Sequence, residues 1–347
     1  MKAYLQFVSY YFPENCISNE DLIRTHPEWS VEKISAKIGI NNRYIADSNE
    51  SAGDMAVKAS NIFFDEHCIG RETIDFILLC TQSPDYFLPT TACILQDKIK
   101  LKNDCGAFDF NLGCSGYVYG LGIAKGLILS GQASRVLLIT SETYSKYIHL
   151  LDKSCQTIFG DAAAVSLITN EKLVGGYNAE IMDFSYKTIG QGYDKLIVET
   201  GASRYPKKCT FQDEFIDGIF QKNRDYLYMD GKSIFEFTMF NIPEHIKQNI
   251  KKNNLRFSDI DLFVFHQANK YMLNFLQKRC DIPDSKFYVD LSDGGNTVSS
   301  TIPIGLKRAL QNKEEIPIYI QLCGFGVGLS IGTVVLKTNN YDKNLVL

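Results

Sequence analysis

The chain carries the same plan twice. The strand-like TIDFILLC, Thr73 to Cys80, followed by the helical TTACILQDKI, Thr90 to Ile99, has a counterpart in DIDLFVFH, Asp259 to His266, followed by KYMLNFLQKRC, Lys270 to Cys280. In both, five positions separate an aspartate from the strand's end, Asp75 to Cys80 and Asp261 to His266. The next units match as well: AFDFNLGCSGYVYGLGIAKGLIL, from Ala107, aligns with FYVDLSDGGNTVSSTIPIGLKRAL, from Phe287. Cys114 then falls five residues after Asp109, and Asn296 six after Asp290. The terminal GFGVGLSIGTVVL answers GDAAAVSLIT at Gly160 to Thr169. Each match is weak alone, but four in one order predict a duplicated α/β chain with halves at 1–172 and 173–347. Similarly wound halves bring equivalent turns together, and α/β sheets place ligands beyond the carboxyl ends of their strands. Cys114, His266 and Asn296 are therefore expected at one centre.

Cys114 sits where a strand gives way to the helical stretch Tyr117 to Leu129. Such a turn is expected to expose the side chain, and the unpaired N–H groups of a helix N-terminus favour thiolate over thiol. A buried structural cysteine fits the turn equally well. A histidine is usually a surface or core side chain, but His266 is delivered by the apolar LFVF into the polar Gln267-Ala268-Asn269. Asn296, after Gly294 and Gly295, also fits a plain turn residue. Together the three make acyl transfer readable: a thiolate attacks a thioester while N–H donors hold the charge on the carbonyl oxygen. If a malonyl thioester follows, neutral His266 and the Asn296 amide can stabilise the enolate formed on loss of carbon dioxide. Donors suit that step better than an acid, because a proton would quench the carbanion.

Between these motifs the pattern predicts a helix over Asn19 to Lys37, carrying the single tryptophan Trp29, and another over Ser51 to Phe64. SRVLLITSETYS reads as a strand, and Met182 to Met229 as irregular loops and short elements. GKSIFEFTMFNIPEHIKQNI returns to helical spacing. The GFGVG run at Gly324 to Gly328 imitates a dinucleotide fingerprint, but too few residues follow it for a βαβ unit.

Composition narrows the function classes. With a formal charge of -4, 45% hydrophobic and 22% charged residues, there is no global reason to expect nucleic acid. No run of 18 apolar residues predicts a membrane span, and the start reads as a strand and turn rather than a signal peptide. The 10 cysteines show no C-x-x-C spacing, which predicts reduced thiols in a cytoplasm and no zinc site.

Three chemistries fit: decarboxylative condensation, acyl transfer to another acceptor, and Cys-His-Asn hydrolysis. The order and separation of Cys114 and His266 are similar to papain-like proteases, but GCSGY is not their C-G-S-C-W signature. GCSG around Cys114, HQAN at His266 to Asn269, GNTVSSTIP from Gly295 and the terminal GFGVGLS together resemble the 3-oxoacyl-[acyl-carrier-protein] synthase III family. With YFPENCISNEDL and SPDYFLPTTAC, the resemblance covers nearly the whole chain.

The resemblance implies a thiolase-like fold of two duplicated α/β halves in a layered αβαβα core. It also implies an acyltransferase without metal or cofactor that condenses an acyl group from coenzyme A with a malonyl thioester, the latter on an acyl carrier protein. Cys114 would carry the acyl group, His266 and Asn296 would promote decarboxylation, and the N–H groups of Cys114 and Val327 would form the oxyanion hole. Trp29 would stack on the coenzyme A adenine, with Lys153 on the other side. Lys37, Gly231 and Asn269 would line the rest of the coenzyme A and pantetheine path. Leu88 would reach the acyl pocket of the partner subunit in a homodimer. The chain departs from the family at Asn111-Leu112-Gly113 before the nucleophile. It also departs at Glu236 and Tyr271, where the carrier-docking face usually has cations; Lys232, Lys270 and Arg43 are the cations that would compensate. These departures predict a specialised paralogue rather than the housekeeping enzyme.

Overall fold

The computed structural model describes residues 1–207, 211–311 and 316–338. Its centre is a ten-stranded sheet. In chain order the strands are β1 (Tyr4–Tyr11), β2 (Phe76–Cys80), β3 (Gly106–Phe110), β4 (Arg135–Glu142) and β5 (Ala162–Thr169). Then come β6 (Ala179–Thr188), β7 (Leu262–Phe265), β8 (Phe287–Tyr288), β9 (Tyr319–Gly326) and β10 (Ser330–Lys337). Across the sheet they run β8-β7-β9-β10-β6-β1-β5-β4-β2-β3. Read outward from the antiparallel β1–β6 pair at the middle, the two sides have one sequence of partners. On either side an antiparallel pair leads to another antiparallel pair and then to two parallel ones.

Six helices cover this sheet: α1 (Ala52–His67), α2 (Thr91–Lys98), α3 (Gly116–Leu129), α4 (Gly231–Lys252), α5 (Lys270–Arg279) and α6 (Thr301–Gln311). The period-2 alternation of buried strands decides which layer each residue joins. On β2, Leu78 enters the central core with α3 and α6 residues, while Ile77 and Leu79 pack with Met55, Phe63 and Leu95 of the outer helices. On β7, Leu262 and Val264 face that same central core, while Phe263 and Phe265 pack with Ile242, Ile246 and Leu273. The sheet's two halves, joined where Tyr4 and Leu5 pair with Glu180 and Ala179, thus hold α3 and α6 between them, and the order is helix, strand, helix, strand, helix, as the αβαβα expectation requires.

Two readings of the sequence are corrected. The helix expected over Asn19 to Lys37 is two, Asn19–Thr25 and Val31–Ile38. Pro27 lies in the gap, where its missing N–H and its restraint on the preceding residue stop a helix, and Ser30 caps the second one by accepting from Lys33 N. The stretch from Met182, expected to be irregular, begins inside β6, which pairs with both β1 and β10. The hairpin Glu214–Ile216 with Ile219–Lys222 was also hidden there; its Asp217-Gly218 turn has positive φ at both residues. Among the described residues every cysteine is a free thiol, and Cys209 lies outside them. Among the same residues no helix is long and apolar enough to cross a membrane.

Candidate active site

β3 ends at Phe110 and α3 opens at Gly116, so Cys114 lies in the tight link between them. Within the Asn-Leu-Gly lead-in, crowding explains the glycine and a hydrogen bond holds the asparagine. A Cβ on Gly113 would stand 2.5 Å from Gln82 Oε1 and 2.6 Å from Val327 Cγ1, while Asn111 Oδ1 accepts from Gln82 Nε2 at 2.9 Å. The expected exposure of Cys114 is wrong, because the residue is only 4% exposed. The end of β9 covers it, and a Cβ on Gly326 would lie 2.8 Å from Cys114 Cβ and 2.9 Å from its Sγ. Burial first, and the nearby Glu142 carboxyl second, push the thiol up to about 12, so the free protein carries a thiol at neutral pH. Desolvation acts against the helix N-terminus, which favours thiolate. The groups that act the other way are the backbone N–H of Cys114 and that of Val327, the two assigned to an oxyanion hole from sequence.

β7 delivers His266, whose N–H continues the ladder to Cys323 O at 2.8 Å. Its ring is 2% exposed, lies edge-on to Phe325 at 5.5 Å, and has Nδ1 2.7 Å from Thr301 Oγ1. Burial pushes the imidazole down to about 3, opposed by the Val298 carbonyl, so His266 is neutral. Asn296 satisfies both readings offered by its sequence. It is a turn residue, because Oδ1 accepts from Val298 N at 2.9 Å and its backbone bonds Ile158 O and Gly160 N, each at 3.0 Å. It also keeps an amide for the site, since Nδ2 has only a long 3.4 Å contact to Ala268 O. A Cβ on Gly113 would lie 3.3 Å from Val298 Cγ1, Phe325 beside Gly326 meets the His266 ring, and Asn296 Nδ2 lies near Ala268 O, so the loops that carry the three residues touch one another.

Sequence reasoning missed Glu142. At the end of β4 it is fully buried, and it accepts from Gln82 N at 3.0 Å, Ser83 Oγ at 3.0 Å and Ser299 Oγ at 3.2 Å. Burial pushes its carboxyl up to about 8 against those donors. Its one sequence signal is a charge at the end of the apolar strand RVLLITSE.

The outer residues are less tightly gathered. Trp29 is buried, stacked on His26 at 3.9 Å, and Lys153 Nζ lies 5.2 Å from its ring, so this expected pair is together. Lys37 and Gly231 are exposed, and Asn269 caps α5 by accepting from Met272 N at 2.9 Å. Leu88 is 85% and Phe87 82% exposed. Glu236 pairs loosely with Lys232 at 4.0 Å, and Tyr271 rests on Phe235, which also meets Phe275. Lys270 is exposed beside Gly39. Arg43 cannot be a docking cation: it is 1% exposed, donating to Asn19 Oδ1 at 2.6 Å and Ile17 O at 3.3 Å. Among the described residues no group of three or more His, Cys, Asp or Glu could hold a metal ion.

A thiolase-like layered core with a cysteine, a histidine and an asparagine on converging loops defines the class as an acyl-transferring condensing enzyme. The 3-oxoacyl-[acyl-carrier-protein (ACP)] synthase III family model matches residues 108–190, and the model of its C-terminal part matches residues 250–338. The chain is 34% identical to the beta-ketoacyl-[acyl-carrier-protein] synthase III of Clostridium perfringens (strain ATCC 13124), over 94% of this chain and 96% of that one. It is 32% identical to the enzyme of that name from Lactococcus lactis subsp. lactis, over 95% and 97%. A crystal structure of a 3-oxoacyl-(acyl-carrier-protein) synthase III superposes with TM-score 0.91 at 39% identity, covering 98% of this chain and 100% of that one. The chain belongs to the 3-oxoacyl-[acyl-carrier-protein] synthase III family, and it is an acyltransferase.

Proposed function

We propose that this protein transfers an acyl group from coenzyme A to Cys114 and condenses it with a malonyl thioester on an acyl carrier protein, giving a 3-oxoacyl thioester. The observation that carries the reading is contact between the loops that bear the three residues: a Cβ on Gly326 would lie 2.9 Å from Cys114 Sγ, neighbouring Phe325 lies 5.5 Å from the neutral His266 ring, and Asn296 Nδ2 is 3.4 Å from Ala268 O. The Cys114 and Val327 N–H groups receive the oxyanion, while His266 and Asn296 hold the enolate. Burial supports this division, since a water-poor site strengthens each donor and spares the carbanion.

The finer assignments rest on separate observations. The Trp29–Lys153 pair supports adenine binding, although lysine lacks arginine's planar stacking surface. Lys37, Gly231 and Asn269 complete the proposed coenzyme A path. The exposed Phe87 and Leu88, and the unpaired outer edge of β3, support a homodimer in which Leu88 enters the partner's acyl pocket. The mirrored strand order supports the division at 172 and 173. Glu236 and Tyr271 support a carrier contact less dependent on cations, hence a specialised paralogue. The free thiols among the described residues fit a cytoplasmic protein.

The test is intact-mass measurement after incubation with a panel of acyl-coenzyme A species. An acyl adduct in the wild type that is absent from Cys114→Ala is the expected result. Peptide hydrolysis without an adduct would overturn the reading.

A further inference from the structure

Ser115, the residue after the nucleophile, breaks a local rule. It stands at the N-cap of α3, where a serine hydroxyl ordinarily accepts from a backbone N–H of the helix's first turn, yet its side chain makes no such bond. Its hydroxyl lies instead 2.7 Å from that of Ser330, at the start of β10 and 215 positions further along the chain. Ser330 Oγ is also 3.0 Å from Val327 O, and a carbonyl oxygen only accepts. The single proton of Ser330 therefore goes to Val327, and Ser115 donates to Ser330. Ser115 is fully buried and Ser330 is 3% exposed, so bulk water does not compete for either hydroxyl.

This chain of two hydroxyls ends on Val327, whose N–H acts on the Cys114 thiol. Gly326 and Ser330 are paired across β9 and β10, so Val327, Gly328 and Leu329 form the turn between those strands. The end of β9 rides on the cysteine loop: a Cβ on Gly324 would stand 2.8 Å from Ser115 Cα and 2.9 Å from Cys114 O. Val327 has a glycine on either side, and Gly328, at φ +138°, holds a conformation that side chains rarely allow. Glycines leave the peptide groups between them loosely restrained, whereas a hydrogen-bond donor aimed at a developing charge has to be fixed beforehand. The bond from Ser330 to Val327 O supplies that restraint, and Ser115 sets its direction from the position next to Cys114.

We propose that Ser115 and Ser330 are positioning residues of the oxyanion hole, a tether of two hydroxyls that keeps the Val327 N–H and the Cys114 N–H in one fixed relation while the acyl group is transferred. The inference rests on the oxyanion hole assigned to those two N–H groups under the proposed function. Neither serine touches a reacting atom and neither passes a proton; both act through Val327.

The test is infrared spectroscopy of the acyl-enzyme formed from acyl-coenzyme A isotopically labelled at its carbonyl carbon, because hydrogen bonds from an oxyanion hole lower the stretching frequency of the carbonyl they hold. Wild type, Ser330→Ala, Ser115→Ala and the double variant are compared, with the rates of Cys114 acylation and of malonyl decarboxylation measured separately. In Ser330→Ala the carbonyl band should move to higher frequency and acylation should slow by roughly tenfold, less than the ~100-fold lost when an oxyanion donor is removed outright. Ser115→Ala, which keeps the bond to Val327 but frees its direction, should move both readouts the same way and by less, so the test stands even where Ser330→Ala does not fold. Malonyl decarboxylation, which draws on His266 and Asn296, should keep its wild-type rate in every variant. Because the hydroxyls act in series, the double variant should be no slower than Ser330→Ala. An unmoved band in the single variants, losses that add in the double variant, or an equal loss of decarboxylation overturns the proposal. A wild-type band at the frequency of a free thioester overturns the oxyanion hole itself, and the tether with it.

Discussion

Ser299 donates to the buried carboxyl of Glu142 across 3.2 Å, so the end of a strand in the first half of the chain holds the loop that carries Asn296 in the second. The same carboxyl accepts from Gln82 N and Ser83 Oγ, on the turn that leads to the exposed Phe87 and Leu88. Removing it strands an N–H and two hydroxyls in the core. Glu142→Ala is expected to cost about 2 to 4 kcal/mol in urea unfolding, while Glu142→Gln costs less than half of that. Equal stability of Glu142→Ala and wild type contradicts the clasp.

The same residue gives a pH signature. Its carboxyl, raised from an ordinary 4.5 to about 8, holds a proton in the native state that the unfolded chain has lost. The native state then binds more protons, so stability falls as pH rises from about 4.5 through about 8. Urea midpoints should show a steeper decline across this window in wild type than in Glu142→Gln. Parallel curves would falsify the assignment.

Cys114 should react as a buried thiol. With its ionisation pushed up to about 12, iodoacetamide labelling of the free enzyme should rise about tenfold per pH unit between pH 7 and 10, with no plateau. Peptide mapping separates Cys114 from the other thiols. A plateau below pH 8 means that the helix N-terminus has already made the thiolate.

Gly326 leaves room beside the Cys114 thiol, the group proposed to take up the acyl chain. Since a Cβ there would meet Cys114 Sγ at 2.9 Å, Gly326→Ala should abolish the acyl adduct while the circular dichroism spectrum stays native. An adduct formed at the wild-type rate would show that the acyl group approaches from another side.

The strand-end and loop positions of the candidate residues were legible in the sequence because the repeated pattern places them, and a strand-end position survives any error in element boundaries. Cys114, His266 and Asn296 were reached in that way. What packing decides was not legible. Arg43 reads as a free cation in GINNRYIAD, yet its burial depends on Asn19 and Thr157, which reach it through the fold. The exposure expected at Cys114 failed for the same reason, since the glycines that cover it lie on β9. β6 was missed because the far half of Ala179–Thr188 is largely exposed and lacks a clean apolar alternation. Glu142 looked like the polar edge of a strand because its three donors are supplied by distant turns.

The central claim is that Cys114 carries an acyl group which is then joined to a decarboxylated malonyl unit. Purified acyl-enzyme, mixed with malonyl thioester on a carrier protein, should lose its adduct in step with the carbon dioxide and 3-oxoacyl thioester that appear, one for one. Asn296→Asp, which keeps the acceptor for Val298 N but removes the amide donor, should hold the adduct and release roughly 100-fold less carbon dioxide. Discharge of the adduct to another acceptor, with no carbon dioxide and no carbon–carbon bond, contradicts the account.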